Sequence, residues 1–273
     1  MIKSKVKAYY EDEANHYYEE FYERKSDYPT LIYRQNYILD MIKELQLPKE
    51  SKILDVGCGP GELLFAISDD FEFLTGIDIA QEMIDIANKN LEHKSSNKNL
   101  IFELGDIENL KFDDKSFDLI ICSGVIEYLA NDEEWISEIK RVLRSDGYLI
   151  INVTNKYSIR KWTSGLVDKM KSSKILLNMM NILKDRIMGK GKIHLFPFKP
   201  RLHSPREFDG YLHQNGFTKI NHNYFDFAVL PAPFDTLFDF ITIPIKKFLE
   251  RYTRKNMVFN GTGYIVKAEM NRK

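Results

Sequence analysis

Ser51-Lys-Ile-Leu-Asp55-Val-Gly57-Cys-Gly59-Pro-Gly61 decides how this chain is read. Ile53, Leu54 and Val56 form a short apolar run that ends in glycines, and Glu62-Leu-Leu-Phe-Ala-Ile67 resumes with helical character. A buried strand that breaks into glycines and re-forms as a helix makes a turn able to accept an anion or a nucleotide. The first helical N–H groups have no partners within the helix and can point at a ligand. Residues without a Cβ let the backbone come close, and Asp55 places a carboxylate at the strand's end. The spacing is G-x-G-x-G, which differs from the G-x-G-x-x-G of dinucleotide-binding turns.

The 273 residues suffice for one large α/β domain or two small ones. With 44% apolar and 29% charged residues, the chain has the profile of a globular protein with a sizeable core. A net charge of −1 supplies no overall basicity that would favour nucleic acid. Cys58 and Cys122 have no metal-ligand spacing and make no disulfide framework, which fits a reducing cytoplasm. The opening MIKSKVKAYYEDEANHYY lacks the apolar run of a signal peptide, and no stretch of 18 apolar residues occurs. Charge is nonetheless uneven. Lys156–Lys192 carries ten Lys/Arg and two acids, whereas Glu11–Asp27 carries seven acids against Arg24 and Lys25. These segments could attract one another or serve separate partners.

Around the glycine turn, strands and helices alternate. Leu31–Leu47 is an amphipathic helix stopped by Pro48. Phe71–Asp78 is a second strand ending in an acid that can accept from both hydroxyls of a ribose, or cap the helix that follows. Leu100–Leu104 is a third strand ending in Gly105-Asp106-Ile107, and Ser116–Cys122 is a fourth, leaving through Ser123-Gly-Val-Ile-Glu127-Tyr128. Trp135–Leu143 is a helix, Arg144–Gly147 a turn and Gly147–Val153 a fifth strand. Such alternation predicts a parallel sheet covered on both faces, with a pocket beyond the carboxyl ends of its strands.

ILDVGCGPGELL resembles the first motif of class I S-adenosylmethionine-dependent methyltransferases, and TGIDIAQEMIDIA resembles their second. The likeness extends through FDLI with VIEYL, through LRSDGYLIINV, and through FDGYLHQNGFTKI with TGYIVKAE at the end. It implies an α/β fold: a seven-stranded doubly wound sheet, mostly parallel with an antiparallel last strand, and a helical insertion between strands 5 and 6. Residues 1–30 would be an N-terminal cap, 31–154 and 204–273 the Rossmann-like core, and 155–203 the insertion, acting as a lid on one single domain.

The same resemblance implies site roles. Gly57, Cys58 and Gly59 would pass against S-adenosylmethionine, with Asp55 beside them and Asp78 on the ribose. Ile79 and Met83 would border the adenosine, Asp106, next to Gly105 in the cofactor site, would receive the adenine amino group, and Ile107 would pack on the ring. Ser123 would face the transferred methyl. Ala14-Asn-His-Tyr17 matches the family's A-x-x-Y stretch, so Tyr17 would close the pocket and reach the reacting centre, while Arg34 would meet the cofactor's carboxylate. The aromatic run Tyr17, Tyr18, Phe21 and Tyr22 is also what a helix packed on the domain surface would show. Ubiquinone-type O-methyltransferases carry a glutamate and a histidine at the places of Gly124 and Tyr128 here; Glu127 remains, as a candidate catalytic carboxylate or an ordinary helix-start acid.

Beyond the core, Ser204-Pro-Arg-Glu207 is a capping box with proline at the first helical position. His203, just before it, is the histidine chosen as general base. His194, His203, His213 and His222 share no helix or strand period, so no metal site is expected. Trp162–Ile187 reads as two amphipathic helices that cover a substrate, pack on the core or rest on a membrane. Phe225–Leu249, broken by Pro231, Pro233 and Pro244, walls a hydrophobic pocket or covers the sheet.

The expected activity is methyl transfer from S-adenosylmethionine, leaving S-adenosylhomocysteine, to a small, partly hydrophobic acceptor, with oxygen favoured over nitrogen or carbon. A lipid-like molecule or natural-product intermediate is the expected partner, with no nucleic acid, at most peripheral membrane contact, and a cytoplasmic monomer or homodimer. A nicotinamide-dependent oxidoreductase and a non-catalytic S-adenosylmethionine-binding subunit are the alternatives.

Overall fold

The computed structural model describes residues 2–23, 26–94, 96, 98–159, 199–230, 235, 238–252 and 261–272. The basic 156–192 segment falls mostly outside them, as does the expected lid.

Helix α1 (Ile2–Tyr18) continues into a single π-helical turn, Glu19–Glu23, and α2 spans Thr30–Leu45. Strand β1 (Lys52–Val56), helix α3 (Glu62–Ala66), strand β2 (Phe73–Asp78) and helix α4 (Gln81–Lys94) follow. Then come β3 (Leu100–Leu104), β4 (Phe117–Cys122), a short 3-10 turn (Ile126–Tyr128), α5 (Glu133–Val142) and β5 (Leu143–Thr154). The chain closes with α6 (Pro205–Gln214), β6 (Phe217–Phe225), α7 (Asp239–Tyr252) and β7 (Gly263–Met270).

The sheet has seven strands in the order β3-β2-β1-β4-β5-β7-β6. β1 to β5 pair in parallel, and β7 runs antiparallel between β5 and β6. The doubly wound class expected from the sequence is therefore the one observed. Side chains alternate across it with the period of a strand. Leu54, Val56, Ile120, Cys122, Leu149 and Ile151 pack on one face with Trp135, Ile136 and Ile139 of α5. Ile53, Leu119, Ile121 and Ile150 pack on the other with Tyr37, Ile38 and Met41 of α2 and Ile84 of α4. Each fully buried aliphatic side chain contributes roughly 1.5–3 kcal/mol, so both faces must be covered.

Three local outcomes differ from the sequence reading. The helix that carries Tyr17 and Tyr18 begins as early as Ile2, well ahead of that aromatic run, because Val6 is buried, as is Ala14 in a cluster with Ala80 and Met83. β5 begins at Leu143 instead of after a turn; the turn is absorbed as a register shift between the Phe117–Leu143 and Leu119–Tyr148 pairs. Pro244 lies inside α7 instead of ending a helix. It forfeits one backbone hydrogen bond, and the inward contacts of Thr242, Lys246 and Glu250 hold the helix regardless. Elsewhere local chemistry agrees: Ser204 Oγ accepts from the Glu207 amide at 3.4 Å, as a capping box requires. The β6 edge carries a register shift between Lys219 and Asn221.

One charge is buried in the sheet itself. Lys267 of β7 has a side chain 3% exposed and donates to Glu44 at 2.6 Å and to the Met41 carbonyl at 3.3 Å. Removing one partner of a buried charge costs more than replacing the charge by an apolar side chain. In urea unfolding, Glu44→Ala should cost about 1–2 kcal/mol, while Lys267→Met should stay within about 1 kcal/mol of the parent. Adding Glu44→Ala to Lys267→Met should then cost almost nothing more; a full second penalty would refute the pairing.

Candidate functional site

The carboxyl ends of β1, β2, β3, β4 and β5 converge on one cavity of about 360 Å³, a size typical of small-molecule sites. The glycine turn forms its floor. Gly57, Gly59 and Gly61 all have positive φ, at +73°, +52° and +85°. A Cβ on Gly57 would lie 2.2 Å from Val125 Cγ2, and one on Gly61 would lie 2.5 Å from the Phe102 ring. Those two glycines are imposed by packing. Gly59 differs: a Cβ there would meet nothing within 4 Å, so its backbone is open toward the cavity it lines.

Asp78, at the tip of β2, ties this turn to the next helix. Its Oδ2 accepts from the Gly59 amide at 3.0 Å and its Oδ1 from the Ala80 amide at 2.9 Å. The two readings of Asp78, helix-start carboxylate and cavity carboxylate, hold together, since it also lines the cavity. Asp106 lines it too, but Lys3 of α1 forms an ion pair with its carboxylate and with Glu108. A ligand reaching Asp106 therefore shares it with, or displaces, an ammonium group. Ile79, Met83, Gly105 and Ile107 complete this end.

The opposite end is aromatic and charged. Tyr10, Tyr17 and Tyr22, from α1 and its π-helical turn, line the cavity beside Tyr128. Tyr17 stands edge-on to Tyr10 at 5.4 Å between ring centroids, and its hydroxyl bonds to that of Tyr22. Arg34 of α2 reaches into the same space. A Cβ on Gly124 would stand 2.8 Å from Arg34 Nη1, so Gly124 is small because the guanidinium occupies its side. Among the described residues no carboxylate forms an ion pair with Arg34.

Glu127 lies on the 3-10 turn after β4 and is 5% exposed. The Thr154 hydroxyl bonds to its carboxylate, while among the described residues its Oε2 is buried with no partner. A carboxylate oxygen left this way has lost its hydration without compensation. Burial raises its pKa above the usual carboxylate range, opposed by Arg34 and Arg201. Ser123 Oγ donates to Asn152 Oδ1 at 2.7 Å, and both line the cavity.

Sequence reasoning placed Tyr17, Arg34, Gly57, Cys58, Gly59, Asp78, Ile79, Met83, Gly105, Asp106, Ile107, Ser123 and Glu127 around one ligand, and all thirteen line this cavity. Asp55 and His203 do not. Asp55 is 3% exposed, sitting within the sheet's end. His203 is held elsewhere: its amide donates to the Thr154 carbonyl at 2.9 Å, and its ring stands edge-on to Phe208. Burial and the nearby Arg201 lower its pKa. Asn152 and Thr154 escaped the sequence reading, although an asparagine inside the apolar run Leu149–Val153 was the available signal. Among the described residues no group of three His, Cys, Asp or Glu side chains is placed to hold a metal ion.

Residues 47–194 match the family described as Methyltransferase domain. The uncharacterized methyltransferase YcgJ of Bacillus subtilis is 32% identical over 111 residues, covering 41% of this chain and 44% of that protein. A ubiquinone biosynthesis O-methyltransferase of Coxiella burnetii is 31% identical over 108 residues, 40% of this chain and 45% of its own length. The chain thus spans less than half the length of either relative. An uncharacterized protein of Methanocaldococcus jannaschii is 28% identical over 93% of this chain and 91% of its own. Among crystal structures, magnesium protoporphyrin IX methyltransferase from Synechocystis, solved with bound S-adenosylhomocysteine, superposes with a TM-score of 0.61 at 17% identity. That match covers 99% of this chain and 100% of the other. Likeness at such identity speaks for the fold.

Burial pushes Asp55 up to about 7, opposed by Arg34 and reinforced by Asp78. The folded form then binds a proton that the unfolded chain has released, so stability falls as pH rises. The loss should start near pH 3.8 and be complete above about 7. Asp55→Asn should remove it, its stability gain over the parent growing from nothing at pH 4 to a few kcal/mol, to order of magnitude, by pH 8. Thermal unfolding of the ligand-free pair across pH checks this; parallel curves would refute it.

Proposed function

The chain belongs to the methyltransferase-domain family, and from that premise we propose that it moves the methyl group of S-adenosylmethionine to a small, partly hydrophobic acceptor, with oxygen favoured. The observation that carries this reading is one cavity uniting a strand-tip carboxylate with, among the described residues, an arginine without a carboxylate partner and a buried carboxylate oxygen without any partner.

These residues fit the donor. The open backbone of Gly59 admits a close neighbour, Asp78 keeps lone pairs for ribose hydroxyls, and Asp106 with Ile107 suits the base. Arg34 would hold the amino-acid carboxylate. When bound, S-adenosylmethionine supplies a methyl group already activated by its positive sulfur. The protein has three further tasks: to align the acceptor, to keep water out and to take up a proton. The tyrosines of α1 with Tyr128 serve the second, because a water-free site strengthens every electrostatic contact in it. Glu127 serves the third, its Oε2 accepting the proton of an acceptor hydroxyl. Val125, Leu129 and Phe225 supply the apolar part of the wall, with Thr262 as a polar contact.

Oxygen is favoured because the Coxiella burnetii relative is named an O-methyltransferase. This chain departs from the ubiquinone type at Gly124 and Tyr128. The space of the first is filled by Arg34, so proton removal passes to Glu127.

Incubation with S-adenosylmethionine should raise the melting temperature, and NADH should not; the reverse result would overturn the reading. With a metabolite extract present, S-adenosylhomocysteine should form together with products heavier by one methyl group. Arg34→Gln should weaken S-adenosylmethionine binding by roughly 10- to 100-fold, as expected for a lost charge-assisted contact. Glu127→Gln should leave that binding nearly intact and lower turnover of the acceptor by about 10²–10⁴-fold. Full turnover in Glu127→Gln would remove the residue from the proton path.

A further inference from the structure

Helix α7 is inside out. Its buried residues are Thr242, Lys246 and Glu250, at 0%, 4% and 3% exposure, while Phe240, Ile241, Ile245 and Phe248 are 76%, 51%, 40% and 51% exposed. Phe238, at the helix entrance, is also exposed. Both sets follow helical spacing: the fully buried stripe is polar, Ile243 and Leu249 are half-buried at its borders, and the exposed face is apolar.

The orientation is fixed from within. Thr242 Oγ1 donates to the Asp235 carbonyl at 2.8 Å. The Lys246 ammonium lies 2.6 Å from the Asp235 carboxylate and sits over the Tyr28 ring. Glu250 accepts from the Tyr37 hydroxyl at 2.7 Å, from Tyr28, and from the Asp226 amide at 3.0 Å. Turning the helix to bury its phenylalanines would strip all three polar residues of their partners, at a cost no burial of this size offsets. The outward apolar face is therefore built into the fold.

Its dimensions and charge indicate the occupant. Fourteen residues span about 21 Å, short of the ~30 Å hydrocarbon core of a bilayer. Among the described residues no helix is long and apolar enough to cross a membrane. Lys247 and Arg251 are exposed on the same helix, and the one acid not turned inward, Asp239, faces Lys246 at 3.9 Å. Against a second copy, a two-fold contact would bring these cations near their own counterparts. An anionic surface attracts them. An exposed face of phenylalanine and isoleucine flanked by lysine and arginine is the pattern of a helix lying in a membrane interface.

We propose that α7 docks this protein on an anionic membrane surface. Phe240, Ile241, Ile245 and Phe248 enter the boundary between headgroups and acyl chains, and Lys247 and Arg251 meet lipid phosphates. The docking does not rest on the methyl-transfer reading, yet the helix and the cavity are connected. Asp226 links them, since its amide bonds to Glu250 and its residue lines the cavity.

Co-sedimentation of the full chain with vesicles of phosphatidylcholine, alone or mixed with phosphatidylglycerol, tests the proposal. The protein should bind the mixed vesicles, and more weakly at high salt. The double variant Phe240→Ser, Phe248→Ser should lose at least about tenfold in vesicle affinity while still unfolding cooperatively within a few degrees of the parent. Both side chains are mostly exposed, and among the described ring contacts they touch only Phe238 and Tyr252 of the same segment. Lys247→Ala with Arg251→Ala should erase the preference for phosphatidylglycerol. The proposal is overturned if the parent stays in the supernatant with both vesicles, or if the phenylalanine variant binds as well as the parent. It is equally overturned if light scattering shows a dimer of the parent that the phenylalanine variant dissolves.

Discussion

Two backbone amides share one carboxylate at the tip of β2, and the site depends on that arrangement. Asp78 holds Gly59 with one oxygen and Ala80 with the other. Immediately beside it, the Ile77 carbonyl accepts from the amides of both Gly57 and Cys58. The first turn is thereby bound across to the second strand, and the cavity floor takes one shape. Positive φ at three glycines is tolerated because these hydrogen bonds and the packing against Val125 and Phe102 determine it.

The same convergence sets the electrostatics. Asp55 and Glu127 are buried and Asp78 is half-buried close to them, and desolvation raises the pKa of each. Arg34 opposes the shift at Asp55 and, together with Arg201, at Glu127. Carboxylates held this way favour a positive ligand, whose arrival would lower their pKa values and release protons. A sulfonium donor is such a ligand.

What could be read from the sequence was what local pattern determines. Strand tips at Asp78, Asp106 and Ser123 follow from apolar runs that end in polar residues, and the sheet's winding makes those tips neighbours. His203 could not be placed that way. It was chosen for residue type, yet its position follows from an isolated bridge to Asn155, a pairing between residues far apart in sequence. The Lys3 contact with Asp106 was hidden for the same reason. Helix α7 inverts the usual rule outright: periodicity reveals its two faces, but the rule that apolar faces turn inward assigns them the wrong way round. Only the partners Asp235, Tyr28, Tyr37 and Asp226 show which face is interior.

The two rims of the sheet are finished differently. At β6 the ladder is broken between Lys219 and Asn221, and the strand is lined with polar side chains. A kinked, hydrophilic rim is a poor template for another strand. At the far side β3 is regular, and Ile101 and Leu104 are exposed upon it. Strand addition between partly unfolded chains is therefore favoured at the β3 flank, and a lysine in place of Ile101 would oppose it there.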